Sequence, residues 1–254
     1  MDNYFQARGV QASMYENFRL PMYFKEVLEG IDEGARILDF GCGFGQTLCA
    51  IKTAAKENAG GGNINVPKSP YLCGIDINKH AIESVRQAGI ECLYVENILD
   101  FIPQEKFDLI IATHTLEHLP KDSIIPTLVH FREHVLKENG RIFVAVPNAQ
   151  SHTGCYWAYE DFTHNTLFTT GSLKYVLAMA GFSDTKIIDK DALANTKGLK
   201  KIIRKALLQL YYARTKLYNR ITNSAFHAPS EISFSYEIKA LGINKSKRSN
   251  NDNP

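Results

Sequence analysis

The run Leu38-Asp39-Phe40-Gly41-Cys42-Gly43-Phe44-Gly45 has residue types and spacing that could do chemistry. Its glycines allow positive φ and let the backbone approach a ligand with no Cβ in the way. A helix starting directly after them would turn free N–H groups toward a carboxylate or phosphate. A dinucleotide loop spaces its glycines G-x-G-x-x-G. Here the third glycine is Gly45 and Gln46 stands where that pattern needs one. This spacing, with Asp39 directly before the loop, argues against a nicotinamide cofactor. Asp76 and Asn97 end later apolar runs. Asp76 is suited to accept both hydroxyls of a ribose, and the Asn97 amide can read an adenine edge.

A second group of candidates could handle a proton. His114 and His118 follow the apolar run Phe107–Ala112, and His164 closes Tyr156-Trp157-Ala158-Tyr159-Glu160-Asp161-Phe162-Thr163-His164. A hydroxyl nucleophile needs a base, and imidazole is the natural one near neutral pH. His164 and His114 are the candidate bases, against a purely hydrogen-bonding role for each and for His118. Tyr156, Trp157, Tyr159, Asp161 and His118 are candidate substrate contacts, since aromatic rings beside polar groups suit the faces of a sugar. The competing reading is that Asp161 and His164 merely pin the loop. Asp161, His164 and His114 are too far apart in sequence to form a metal-ligand signature, so no metal is expected.

These residues need elements to position them. Arg36–Phe40, Tyr71–Ile75, Glu91–Val95, Phe107–Ala112 and Arg141–Val146 read as buried strands. Helices are expected over Gln46–Lys56, Lys79–Ala88 and Pro120–Lys137, the last stopped by Gly140. Strands and helices alternating in this way imply right-handed βαβ units and a parallel sheet covered on both faces. In such a sheet, ligands bind at the carboxyl ends of the strands, where Asp39, Asp76 and Asn97 fall. Helical spacing over Met14–Ile31 predicts an N-terminal helix. Gly60, Gly61 and Gly62 lie in a long loop over Ala59–Pro70. After Asn148, Gln150–Asn165 reads as an ordered loop, Ser172–Ala180 as a helix, and Phe182–Ile188 and Glu231–Leu241 as the last strands. The expected organisation is a single domain over 1–243, with a helical insert at about 197–222 and a disordered polar tail over 244–254.

Together these segments resemble the class I S-adenosylmethionine (SAM)-dependent methyltransferases. The resemblance rests on Ile37–Gly45, Gly74-Ile75-Asp76, the run from Phe107 to Leu119 and the run from Gly140 to Asn148. It implies an α/β fold with a doubly wound, seven-stranded sheet in order 3-2-1-4-5-7-6, the last strand antiparallel. It implies SAM as cofactor and S-adenosylhomocysteine as product. Asp39, Gly41 and Gly43 would line the methionine end, Asp76 the ribose, and Asn97 with Ile98 the adenine, with Cys42, Gly45, Ile77 and Thr113 as further cofactor-binding residues. The long glycine-bearing loop sets Asp76 further along than usual, and Asn97 stands where many members carry Asp. The pattern Asp161-x-Thr163-His164 with Phe168 and Ala180-Gly181-Phe182 resembles methyltransferases of bacterial polysaccharide and capsule gene clusters. That likeness implies O-methylation of a sugar, nucleotide-sugar or phosphate- or phosphoramidate-bearing intermediate. Alternatives are a small-metabolite or lipid-linked acceptor, or an inactive SAM-binding regulatory subunit.

Composition limits the rest. A net charge of +2 over 254 residues is too small to indicate a nucleic-acid binder. The fourth strand also lacks the Asn-Pro-Pro-Tyr with which the family meets nucleic-acid amino groups. Five scattered cysteines without a Cys-x-x-Cys pair read as free thiols in a reducing cytoplasm. Neither a secretory signal nor a membrane span is apparent. One segment stands out: Leu199, Ile202, Ile203, Ala206, Leu210, Ala213, Leu217 and Ile221 fall on one helical face, among basic residues with no acid. Docking of that face on the domain is the expected arrangement. An anionic membrane, a phosphorylated substrate or a homodimer partner are the alternatives.

Overall fold

The computed structural model describes residues 4–57 and 64–245. Gly60–Gly62 and most of the expected tail lie outside the described residues. The central element is a seven-stranded sheet in order β3-β2-β1-β4-β5-β7-β6. Its strands are β1 (Arg36–Phe40), β2 (Tyr71–Asp76), β3 (Glu91–Tyr94), β4 (Phe107–Thr113), β5 (Leu136–Pro147), β6 (Ser183–Ile188) and β7 (Glu237–Ile243). β1 to β5 run parallel, whereas β7 pairs antiparallel with both β5 and β6. The fold class expected from the sequence, including strand order and the antiparallel last strand, is the one observed.

The helices, in chain order, are α1 (Tyr4–Ala7), α2 (Phe24–Val27), α3 (Gln46–Glu57), α4 (Lys79–Gln87), α5 (Ile124–His130), α6 (Gly154–Glu160), α7 (Thr170–Met179) and α8 (Gly198–Thr222). The central strands are buried on both faces, which is why they read as continuous apolar runs. One core layer packs Leu38, Ile110, Val144, Phe131 and Leu173; the opposite layer packs Ile37, Leu48, Ile82, Leu109 and Phe143.

Several boundaries differ from the sequence reading, each for a local reason. No long helix forms over Met14–Ile31. A 3-10 turn at Ala12–Tyr15 and the short α2 take its place. Pro21 supplies no N–H and disfavours helix at the residue before it, and Gly30 turns at φ +68°. Phe24 instead packs its ring against Phe143. Past α5 the chain makes a π-helical turn at Phe131–Val135, and β5 starts at Leu136, pairing it with Phe107. Gln150–Asn165 is not all loop, because α6 occupies Gly154–Glu160. β7 starts at Glu237 rather than Glu231. The Asn148 amide draws the Ser233 and Ser235 carbonyls away from any strand ladder. Asn244, expected in a tail, is buried and donates to the Arg132 and Lys137 carbonyls.

The helical insert forms as α8, but its orientation reverses the expectation. Arg204 donates to the Ala192 carbonyl and Thr196, while Tyr212 reaches Asp191 and the Ile232 carbonyl. Tyr211 and Tyr212 pack on Phe234. The contacting face is thus Arg204–Tyr212, and the predicted apolar face is solvent-exposed. Leu199, Ile202, Leu210 and Ile221 are 65–71% exposed, and no residue of α8 is buried.

Candidate functional site

The loop between β1 and α3 is fixed by contacts that require glycine. Gly41, Gly43 and Gly45 all have positive φ. A Cβ on Gly41 would lie 2.4 Å from Thr115 Oγ1, and one on Gly45 would lie 2.7 Å from a Val85 methyl. Thr115 Oγ1 donates to the Phe40 carbonyl, tying the segment after β4 to the loop after β1. Gly41 and Cys42 both donate their N–H to the Ile75 carbonyl, so the loop hangs from the end of β2. Cys42 Sγ lies 3.5 Å from Cys92 Sγ in the core, beneath the loop.

Asp39 and Asp76 meet at this end of the sheet. Asp76 accepts from Gly43 N and Asn78 N at 2.8 Å each, holding the loop closed. Burial raises its pKa, and those backbone donors offset part of the rise. Asp39 is only 3% exposed. Burial first, and then the charge of Asp76, push its pKa up to about 8. Ile77 follows at the edge, half exposed. Asn97 caps the turn Ile98–Asp100, accepting from Leu99 N and donating to Asp100, while Ile98 is buried. A cavity of about 600 Å³ opens beside the loop, lined by Phe5, Val10, Phe44, Asn78 and His80. Asp39, Asp76 and Asn97 do not line it. α1 covers the loop instead, with the Phe5 ring against Phe44.

A second cluster lies past the carboxyl end of β4. His114, at φ +53°, aims both nitrogens at carboxylates: Nδ1 is 3.3 Å from Glu117 and Nε2 3.1 Å from Glu237. Partial desolvation of the ring, which stays 42% exposed, opposes its charge, but the two acids outweigh this and raise its pKa to about 10. Burial likewise opposes ionisation of Glu237, yet His114 and Lys239 bring it down to about 2. Lys239 is buried between Glu237 and Asp189. Thr113 ends β4 directly before this group.

The segment after β5 contributes the rest. Asp161 is buried, accepting from Tyr4 and Thr163 at 2.6 Å each and pairing with Arg8 at 2.6 Å. Burial alone would raise its pKa, yet those donors hold it at about 2. Asp161 thereby ties α1 to the loop after α6. Thr163 Oγ1 also contacts His118 Nδ1 at 2.8 Å, and His164 Nδ1 contacts the Trp157 carbonyl at 2.6 Å. The His118 and His164 rings stand 4.7 Å apart. The Tyr156 and Tyr159 rings of α6 are exposed, and Trp157 is half-buried. The residues proposed from sequence thus fall into two groups. Asp39, Gly41–Gly45 and Asp76 form one; His118, Asp161 and His164 form the other. Five residues that the sequence reading did not single out hold these groups in place: Tyr4 and Arg8 hold Asp161, Thr115 holds the glycine loop, and Glu117 and Glu237 hold His114. Their sole sequence signal was Glu117 beside His118.

A profile described as a methyltransferase domain matches residues 15–187. The chain belongs to the class I SAM-dependent methyltransferase family. SAM is the cofactor of this methyltransferase. The chain is 32% identical over 115 residues to a ubiquinone biosynthesis O-methyltransferase of Xylella fastidiosa, covering 45% of this chain and 43% of the relative. The methyltransferase thus matches less than half the length of such curated relatives. Among solved structures, a SAM-dependent methyltransferase from Archaeoglobus fulgidus superposes with TM-score 0.58 at 19% identity, covering 94% of this chain and 97% of that one. Haemonchus contortus phosphoethanolamine N-methyltransferase 2, solved with SAM, superposes with TM-score 0.57 at 13% identity, covering 96% and 60%. At these identities the structural likeness speaks for the fold of the methyltransferase. Among the described residues no helix is long and apolar enough to cross a membrane.

Proposed function

We propose that the chain transfers the SAM methyl group to a hydroxyl held at the His118–His164 pair. The observation that carries this reading is the hydrogen bonding of the two rings. Thr163 gives its one hydroxyl proton to Asp161, so its contact with His118 requires that ring to donate from Nδ1. The Trp157 carbonyl can only accept, so His164 also donates from Nδ1. In their neutral forms both rings therefore keep a lone pair on Nε2, which can draw a proton from an acceptor hydroxyl. Burial lowers the His118 pKa and favours that neutral form. His114, fixed between two acids, serves better as a standing positive charge than as a base. Asp39, Gly41, Gly43 and Gly45 are read as the methionine end of the cofactor site, with Cys42 and Thr113 beside it. Asp76 and Ile77 are read as the ribose end, and Asn97 and Ile98 as the adenine end.

Two acceptor classes have support. The exposed Tyr156 and Tyr159 rings, with Trp157, suit the faces of a sugar, consistent with an intermediate of surface polysaccharide or capsule. The basic α8 would attract a phosphate or nucleotide on it. A lipid-linked acceptor met at an anionic bilayer is favoured by the exposed apolar stripe of α8 and by the ubiquinone O-methyltransferase relatives. Both place the chain in the cytoplasm. The test is S-adenosylhomocysteine release with nucleotide sugars and with lipid phenols. His164→Ala should keep SAM affinity and lose about 10²–10⁴ in turnover. Unchanged turnover would remove the pair from catalysis. Tight SAM binding with no release for any acceptor would favour the regulatory-subunit reading.

A further inference from the structure

We propose that Glu117, His118 and His164 form a binding site for a divalent first-row transition cation. Each offers one ligand atom, and those atoms lie within 4.8 Å of one another. Glu117 is fully buried, and among the described residues neither carboxylate oxygen receives a hydrogen bond. Its neighbour His114 stands 3.3 Å from Oε1, an ion-pair contact outside hydrogen-bond geometry. An ionised carboxylate in such a place is strongly unfavourable unless a positive charge answers it. His114 is shared with Glu237, and Lys239 is shared between Glu237 and Asp189, so three acids face two cations.

The histidines are arranged as metal ligands are. A ligating imidazole donates its other N–H to a carbonyl, carboxylate or hydroxyl, which fixes the tautomer and aims the lone pair. His164 does so to the Trp157 carbonyl, and His118 to Thr163, which Asp161 holds in turn. The second-best partner for His164 Nε2, Asp161 Oδ2, is 3.8 Å away, too far for a hydrogen bond. Two neutral imidazoles and one carboxylate select manganese, iron, cobalt, nickel or zinc over the harder magnesium and calcium. Metal–ligand distances of about 2.0–2.2 Å need only a small inward closure of the three side chains. His114, considered with Asp161 and His164 at the sequence level, is not among these ligands.

Three protein ligands leave coordination positions open. The consequence for catalysis rests on the O-methylation reading above but replaces its proton-abstraction step, since an Nε2 lone pair held by the cation cannot also draw a proton; the binding of the cation does not depend on that reading. An acceptor hydroxyl on the cation would lose its proton to solvent at lower pH. Its oxygen would then form the O–CH3 bond as the S–CH3 bond of SAM breaks, the sulfur keeping the electron pair as S-adenosylhomocysteine.

The test is titration of chelator-stripped protein with Co2+, read by its visible absorption bands and by calorimetry. One equivalent should bind with nitrogen-containing coordination. Glu117→Gln and His164→Ala should each weaken it at least tenfold while SAM affinity is kept. Because Glu117 is buried, His164→Ala carries the test if Glu117→Gln fails to fold. Absence of saturable one-to-one binding, retention of affinity in His164→Ala, or equal affinity for Mg2+ would each overturn the proposal. Stoichiometric Co2+ binding without methylation of any hydroxyl would sustain the site and refute the acceptor. Hydroxyl methylation that survives stripping, with no Co2+ bound, would do the reverse.

Discussion

Asp39 should make SAM binding depend on pH within the neutral range. Its carboxyl lies at the end of β1, 3% exposed, and its pKa is pushed up to about 8 by burial and by Asp76. SAM carries a sulfonium and an α-ammonium, so its bound state favours the ionised carboxylate. If only that form binds, the apparent Kd rises by a factor of 1 + 10^(8 − pH), about 11-fold at pH 7 and about 100-fold at pH 6. Calorimetry in buffers of different ionisation enthalpy should detect up to one proton released per SAM bound below pH 8. Stability has the opposite dependence. The folded chain holds this proton more tightly than the unfolded one, so stability falls as pH rises from about 4 towards 8. At about 1.4 kcal/mol per unit, the burden reaches roughly 4 kcal/mol at pH 7. Asp39→Asn should therefore raise the melting temperature of the unliganded protein at pH 8 while weakening SAM and flattening the pH profile. A Kd that is constant from pH 6 to 8.5 in the unaltered protein would refute this account of Asp39.

Gly41→Ala should destabilise the protein by about 3 kcal/mol, combining the left-handed backbone penalty with loss of the Thr115–Phe40 hydrogen bond. For a chain of this size that is a fall of about 6–12 °C in Tm, with loss of SAM affinity; an unchanged Tm would mean that Thr115 moves aside without consequence. The exposed face of α8 should bind vesicles rich in anionic lipid and release them at high salt. Leu210→Ser with Ile221→Ser should weaken that binding at least tenfold without altering turnover on a soluble acceptor, and binding insensitive to both salt and these changes would exclude α8 as the contact.

The glycine-loop half of the candidate site was legible in the sequence because it is local. Gly41, Gly43 and Gly45 are punctuation for one turn, and Asp39 and Asp76 end apolar runs that can only be buried parallel strands. The same locality failed at the N-terminus. Apolar residues over Met14–Ile31 do recur at helical spacing, but Pro21 and Gly30 break the backbone, and Phe24 and Val27 are apolar to fill the core beside Phe143. α8 failed for a different reason. A hydrophobic stripe says that one face is apolar, not that the domain has a surface to meet it. Here Arg204, Tyr211 and Tyr212 make the contact through hydrogen bonds and rings.

The histidine half of the candidate site was less legible because its partners come from distant segments. Tyr4 reaches Asp161 across 157 residues, and His114 reaches Glu237 across 123. No spacing rule detects such pairs. Only chemistry places them together: a buried acid must find a donor or a cation. Glu117, His114, Glu237, Lys239 and Asp189 form a row of alternating charge from the end of β4 to the loop after β6. His114 therefore resists acting as a base, since giving up its proton would leave Glu117 without a cation and Glu237 with Lys239 alone. His118 and His164 stand outside this row, oriented by Thr163 and the Trp157 carbonyl rather than by direct ion pairs. The row holds one imidazolium for structure, while the Nδ1 atoms of His118 and His164 are each taken by an uncharged partner.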